Sequence, residues 1–264
     1  MKQLLITLSF LVAFSGCKSD TKKTNTDGTT QETTEEVEKE STSSFEVYPI
    51  SHATMVIEWD GTVIYIDPVG GGDNFSKYQE PDLILVTDIH GDHLNAETIQ
   101  AVGVSKTKIM VPKAVADKLP ASLEAQIDIL NNGDIKERFG FSVEAIPMYN
   151  LRTEALDFHK KGRGNGYVIE KAGKRVYISG DTEDIPEMRA LKGIDIAFVC
   201  MNLPYTMTVQ SAADAVLEFK PKTVYPYHYR GTEGLSDVSE FKSILYGGNP
   251  DLGVVQLDWY PNKK

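Results

Sequence analysis

From residue 45 onward the chain alternates short apolar, β-branched runs with turn residues. Residues 45–50, 54–59 and 62–67 read as strands, and Asp60-Gly61 is a two-residue hairpin turn between the last two. Residues 83–87 (Leu-Ile-Leu-Val-Thr) are continuously apolar, as a strand buried on both faces would be. Asn95 can cap a helix over 96–102, a strand follows at 108–111, and Pro112 opens a short helix reaching about 119. Hairpins pair 135–139 with 141–147 around Gly140, and 166–171 with 174–179 through Ala172-Gly173. Between them lies a long polar loop, 148–165, of a length that is usually functional. A helix from Pro186, a buried strand 194–201, an amphipathic helix 210–219, a strand 223–227, a helix 238–246 and a strand 254–259 complete the pattern. Strands therefore come in two batches, each followed by helices. Two sheets packed face to face with helices outside bury this pattern economically, and helices layered on a single sheet compete with it.

The N-terminus follows different rules. Residues 1–16 read as a secretory signal, with Lys2, an apolar run and the small pair Ser15-Gly16 before Cys17. Phe14-Ser15-Gly16-Cys17 resembles a bacterial lipobox, which implies a lipidated Cys17, membrane attachment and a place in the bacterial cell envelope. Residues 17–44 are a tether of Lys, Thr, Ser, Asp and Glu, too polar to offset the entropy of ordering, and the domain is expected over 45–264. No run reaches the roughly 20 apolar residues of a membrane span. The 27 basic and 38 acidic residues leave a formal charge of −11, which argues against nucleic acid as a partner. Cys200, the second of two cysteines, sits in an apolar run and reads as core packing.

The chemistry collects where strands end. Thr87-Asp88-Ile89-His90-Gly91-Asp92-His93 follows the buried strand 83–87 and contains two of the chain's five histidines. Gly180-Asp181-Thr182 follows the strand 174–179, and His228 follows 223–227. Loops held by a rigid sheet are where binding residues concentrate. Two cations roughly 3.5–4 Å apart, sharing one carboxylate, need about the number of donors these segments supply. Lys160, Lys161, Arg163 and Arg230 are candidates to bind an anionic substrate.

Thr87–His93, Gly180-Asp181-Thr182 and Pro226-Tyr227-His228 resemble, in order and spacing, the metal-binding motifs of the metallo-β-lactamase superfamily. Ser51-His52-Ala53-Thr54, Asp67-Pro68 and Tyr205-Thr206-Met207 are similar to the branch related to ascorbate-phosphate lactonase and to the phospholipase D that cleaves N-acyl ethanolamine phospholipids. The resemblance implies an α+β fold, the four-layer αβ/βα sandwich, with a binuclear site at one edge. It implies His90 at the first metal, Asp92, His93 and His228 at the second, and Asp181 between them, with Asp92, Asp181 and His228 serving catalysis. The family loop reads His-x-His-x-Asp-His, and Asp88 stands at its first histidine, still able to ligate but harder than imidazole. A family histidine is missing where Asn150 stands, and His159, nine residues on, is expected to fill the gap. His52, Asp67 and Asn150 are expected behind the ligands.

The implied cofactors are two divalent ions, zinc first, with Asp88 bringing manganese or iron into consideration. The implied reaction is hydrolysis of a phosphodiester, ester or lactone, small or lipid-derived, by a water activated between the ions. A lipoprotein that binds metal or ligand without turnover is the competing reading, motivated by the departures at Asp88 and Asn150.

Overall fold

The structure is a computed structural model that describes residues 44–261, so the expected signal, Cys17 and nearly all of the tether lie outside the described residues. Three two-residue turns with glycine in second place set the register of its sheets. At Asp60-Gly61, Phe139-Gly140 and Ala172-Gly173 both residues have positive φ, between 48° and 78°, the backbone that matches the twist of paired strands. These turns pair Trp59 with Thr62, Arg138 with Phe141 and Lys171 with Lys174.

The first sheet contains β1 (Phe45–Ser51), β2 (Thr54–Trp59), β3 (Thr62–Ile66), β4 (Leu83–Leu85), β5 (Lys108–Val111) and β6 (Ile127–Ile129), hydrogen-bonded in that order. Its first three strands are antiparallel, and β3 to β6 run parallel. Helices α1 (Ala96–Val102) and α2 (Lys113–Ala116) supply Ile99, Val102 and Val115 to a cluster with Val56, Tyr65, Ile84 and Ile109 on that sheet's outer face. Asn95 caps α1 by accepting from the Thr98 N–H at 2.7 Å.

The second sheet contains β7 (Ile135–Arg138), β8 (Phe141–Met148), β9 (Gly164–Lys171), β10 (Lys174–Ile178), β11 (Ile196–Cys200) and β12 (Thr223–Tyr227). A small hairpin, β13 (Arg230–Gly231) with β14 (Gly234–Leu235), follows, and β15 (Gly253–Val254) joins the sheet beside β12. Helices α3 (Pro186–Arg189), α4 (Val209–Phe219) and α5 (Val238–Gly248) complete the chain. The expected inner face of α4 is buried: Ala212, Ala213, Ala215, Val216 and Phe219. Phe219 packs edge-on to Tyr177 of β10 at 6.0 Å.

The sheets face each other across the main core. Trp59 meets Phe141 edge-on at 5.0 Å, and the Tyr167 hydroxyl donates to the Val86 carbonyl at 2.7 Å. Each such fully buried large apolar side chain contributes roughly 1.5–3 kcal/mol. The single-sheet alternative is thereby excluded. In both sheets an antiparallel start passes into parallel strands, so β3, β4, β8, β10 and β12 end at the same edge. Ligands of open α/β sheets bind outside such carboxyl ends.

Three expected elements differ. The strand expected over 254–259 pairs only at Gly253 and Val254. Gly253 and Val255 donate to the carbonyls of Lys222 and Val224, so the next rung requires an N–H from Pro226, which has none. The chain turns inward there and buries Trp259 against Tyr227, ring centroids 5.7 Å apart. The helix after Pro112 is one turn long, and β6 is a strand the pattern did not announce. No helix among the described residues is long and apolar enough to cross a membrane.

Candidate metal centre

The strand ends deliver donors through strained backbone. His52, Asp67 and His228 have φ of 50°, 45° and 44°, left-handed conformations that side chains other than glycine adopt at a cost of order 1–3 kcal/mol. His52 lies in the two-residue turn between β1 and β2, while Asp67 and His228 belong to no hairpin turn. Such strain concentrates where tertiary structure fixes a functional side chain. The His228 N–H donates to the His52 carbonyl at 3.2 Å, tying the end of β12 to the β1–β2 turn. Asn165 N–H donates to the Thr87 carbonyl at 2.9 Å, tying the start of β9 to the loop after β4.

Three clusters of donors result among the described residues, and two of them meet at Asp181. Asp88, His90 and His159 form one, with ligand-type atoms within 4.8 Å of one another; His93, Asp181 and His228 form the other. Asp181 lies between them. Its Oδ2 is 3.2 Å from His93 Nε2 and 3.2 Å from His159 Nε2, while its Oδ1 is 3.3 Å from His228 Nε2. Asp92 Oδ2 reaches to 3.3 Å from His228 Nε2, with a side chain 42 % exposed. The cleft above holds about 320 Å³ and is lined by His90, Asp92, Phe158, His159, Asp181, Asn202 and Tyr205.

The residues behind the donors are specific. Asp67 is fully buried and accepts from the Thr87 N–H at 2.7 Å and the Thr87 hydroxyl at 2.6 Å; its Oδ2 is also 2.8 Å from His93 Nδ1. That contact leaves His93 Nε2 aimed at Asp181. Asn150 does not reach the donors. Its amide donates to the carbonyls of Ala155 at 2.9 Å and Tyr205 at 2.7 Å, and the same Tyr205 carbonyl lies 3.1 Å from His159 Nδ1. Asn150 thus helps to hold the carbonyl that turns His159 Nε2 into the site. His52 packs its ring edge-on to His228 at 5.4 Å and to Tyr260 at 5.1 Å. It also has a ligand-type atom within 4.8 Å of Asp92 and His228.

Of the four basic residues considered for anion binding, three are engaged away from the donors. Lys160 pairs with Asp157, Lys161 with Glu187 and the Tyr149 hydroxyl, and Arg230 lies over the Tyr260 ring. Arg163 is different: its guanidinium forks onto Asp88. Glu183 was not singled out in the sequence. It is buried, accepts from the N–H groups of Leu151 and Arg152 and pairs with the Arg152 guanidinium, which in turn donates to the carbonyls of Pro204 and Thr206. This network staples together the two loops that wall the cleft. Its one signal is the apposition of Arg152 and Glu183, 31 residues apart and invisible without the fold.

Burial and mutual charge set the ionisation of the donors. Burial opposes ionisation of Asp181, yet His228, His93 and His159 hold its carboxyl well below the usual range. Burial likewise opposes charge on His93, but Asp181 and Asp67 outweigh it and raise the imidazole pKa well above normal. Burial pushes the Asp67 carboxyl up against the pull of His93 and Thr87. His93 Nε2 and His228 Nε2 are only 3.2 Å apart, and His159 Nε2 is buried without a hydrogen bond. Converging lone-pair donors of this kind, imidazole and carboxylate, suit divalent first-row ions. The residues fit such a cation at each cluster. Cys200 offers no competing nucleophile: burial pushes its thiol pKa up to about 12.

A sandwich of mixed sheets carrying an Asp/His donor cluster at the carboxyl ends of its strands defines a class, and comparison with known proteins gives the same one. The beta-lactamase superfamily domain matches residues 46–228. A UPF0173 metal-dependent hydrolase of Pelotomaculum thermopropionicum is 30% identical over 207 residues, covering 74% of this chain and 90% of its own. A crystal structure from Parabacteroides distasonis, named as a metal-dependent hydrolase, superposes with a TM-score of 0.74 at 37% identity, covering 83% of this chain and 94% of its own. CmlA, a diiron β-hydroxylase of Streptomyces venezuelae, shares the fold at a TM-score of 0.60 and 18% identity, over 80% of this chain and 52% of its own. The chain belongs to the metallo-β-lactamase superfamily and, within it, to the UPF0173 metal-dependent hydrolase family.

Proposed function

We propose that this chain is a metal-dependent hydrolase that works with two divalent cations, one held by Asp88, His90 and His159, the other by Asp92, His93 and His228, with Asp181 shared. The observation that carries this reading is the placement of Asp181, whose two oxygens lie within 3.3 Å of three imidazole nitrogens drawn from both clusters. Bound there, the cations would supply Lewis acidity and lower the pKa of water from 15.7 towards about 7. Asp88 hardens the donor set, so manganese and iron compete with zinc for it.

The chain's own residues do the rest. Asp92, the solvent-facing carboxylate of the set, takes the proton released as water attacks and returns that same proton to the leaving group, with His228 beside it fixing its orientation. Phe158 and Tyr205, packed edge-on at 5.0 Å, form an apolar wall against which a small substrate is oriented. A cleft of about 320 Å³ is at the low end for ligand sites and suits a small phosphodiester, ester or lactone, or the headgroup end of a lipid. The similarity of residues 51–54 to the lactonase and phospholipase branch supports that choice, and a lipidated Cys17 would keep the enzyme on a membrane of the cell envelope.

Purified full chain, stripped of metal and then supplied with zinc or manganese, is the test. Hydrolysis of model phosphodiesters, esters or lactones is expected to vanish on stripping and return with either ion. Turnover that survives complete metal removal would contradict the proposal.

A further inference from the structure

Asp88 sets a physical problem. It is fully buried, and it brings a negative charge to a place where the superfamily motif has a neutral imidazole. A buried carboxylate needs a partner, and a divalent ion bound only part of the time is an unreliable one. The fold supplies a permanent partner from the long loop between β8 and β9. Arg163 Nε donates to Asp88 Oδ1 at 3.0 Å and its Nη2 to Oδ2 at 2.7 Å, a two-pronged fork. The same Nη2 donates to the Phe158 carbonyl at 2.5 Å and lies 3.4 Å from His90 Nε2. His90 Nδ1 is 2.9 Å from Asp88 Oδ2. The Arg163 side chain is only 17% exposed, and its fork is committed, so it does not stand open to a substrate anion. Burial opposes the charge on Asp88, but His90 and Arg163 hold its carboxyl below the usual range.

We infer that Arg163 is a positioning residue for the first cation: the Asp88–Arg163 pair takes the electrostatic place of one neutral imidazole. The inference rests on the two-cation reading proposed above. It says that the two positions differ in charge. The position at His93 and His228 faces two carboxylates, Asp92 and Asp181, and among the described residues neither is paired with a lysine or arginine. The position at His90 and His159 has Asp88 cancelled by Arg163 and only a share of Asp181. The position at His93 and His228 therefore fills before the position at His90 and His159, and Arg163 sets the gap between them. Its side chain works in two ways. It lowers the pull of Asp88 on a cation, and it keeps the metal-free chain from burying an unpaired carboxylate.

The test is a chelator-competition titration of zinc and of manganese into the full chain, reading the affinity of each equivalent. Wild type is expected to take two equivalents in separated steps. In Arg163→Gln the weaker step is expected to tighten by on the order of tenfold or more, with the tighter step unmoved. The metal-free variant is expected to melt earlier than wild type and to recover when loaded. Arg163→Lys, which keeps the charge but not the fork, should hold the weaker step near wild type, a rescue that a merely space-filling role would not produce. A weaker step that is unchanged or loosened in Arg163→Gln, or a lysine variant that behaves like glutamine, overturns the inference and leaves the two-cation reading standing. Wild type that takes up no metal at all overturns both.

Discussion

Replacing Asp181 with alanine is expected to leave a folded chain that holds no second equivalent of metal and turns over substrate slower by on the order of 10²–10³-fold or more, the usual cost of one lost electrostatic element in an active site. The reason is positional. Asp181 follows β10 through Gly180, whose φ of 61° turns the chain into the cleft, and its carboxylate is near histidines of both clusters. Without it the three imidazoles of His93, His159 and His228 face one another across the cleft with no carboxylate shared among them, and two cations would repel with nothing between. Asp181→Asn keeps the shape and removes the charge, so it should fail nearly as badly. Metal content and model-substrate turnover of the same preparations check this. An alanine variant that retains both metals and full turnover would mean that Asp181 is only a buried hydrogen-bond acceptor.

Asp67→Ala is expected to have the largest effect on stability. The Thr87 N–H loses its acceptor, and the Thr87 hydroxyl and His93 Nδ1 lose the carboxylate and keep only each other, 2.9 Å apart. All are buried, so water cannot substitute, and breaking one side of a buried ionic contact costs about 3–5 kcal/mol. Alanine is also strained at a φ of 45°, which aspartate and asparagine tolerate better. Urea denaturation of the metal-free chain should show the loss, with Asp67→Asn intermediate because its amide oxygen still accepts from Thr87. In the folded fraction, metal affinity should fall by roughly 10–100-fold, since His93 would no longer be held in orientation. A melting curve and metal affinity equal to wild type would show that Asp67 does not orient His93.

What could be read in the sequence was what strands dictate. Asp88, His90, Asp92, His93, Asp181 and His228 were legible because each follows an apolar run at once, and the strand fixes where the next residues go. The three glycine-containing hairpin turns were legible for the same local reason. His159 was singled out because a family histidine is missing at Asn150 and the same loop carries one nine residues on, rather than by any local pattern. The end of β15 was legible in principle, since Pro226 lacks the N–H that a longer ladder needs, but only once β12 and β15 are known to be neighbours. The three-residue strand β6 carries too short a pattern to distinguish it from loop. The Asp88–Arg163 fork spans 75 residues and arises inside an irregular loop, where periodicity says nothing about side-chain direction. Its only trace in the sequence is the carboxylate at a histidine position, which demands a counter-charge without saying from where.

The central claim is that two cations share Asp181, and anomalous diffraction from crystals of the full chain grown with zinc or manganese tests it most directly. The expected map has two peaks, one touching Asp88, His90 and His159, the other touching Asp92, His93 and His228, with Asp181 in contact with both. A fully occupied crystal with a single peak, or with peaks remote from these side chains, would contradict it.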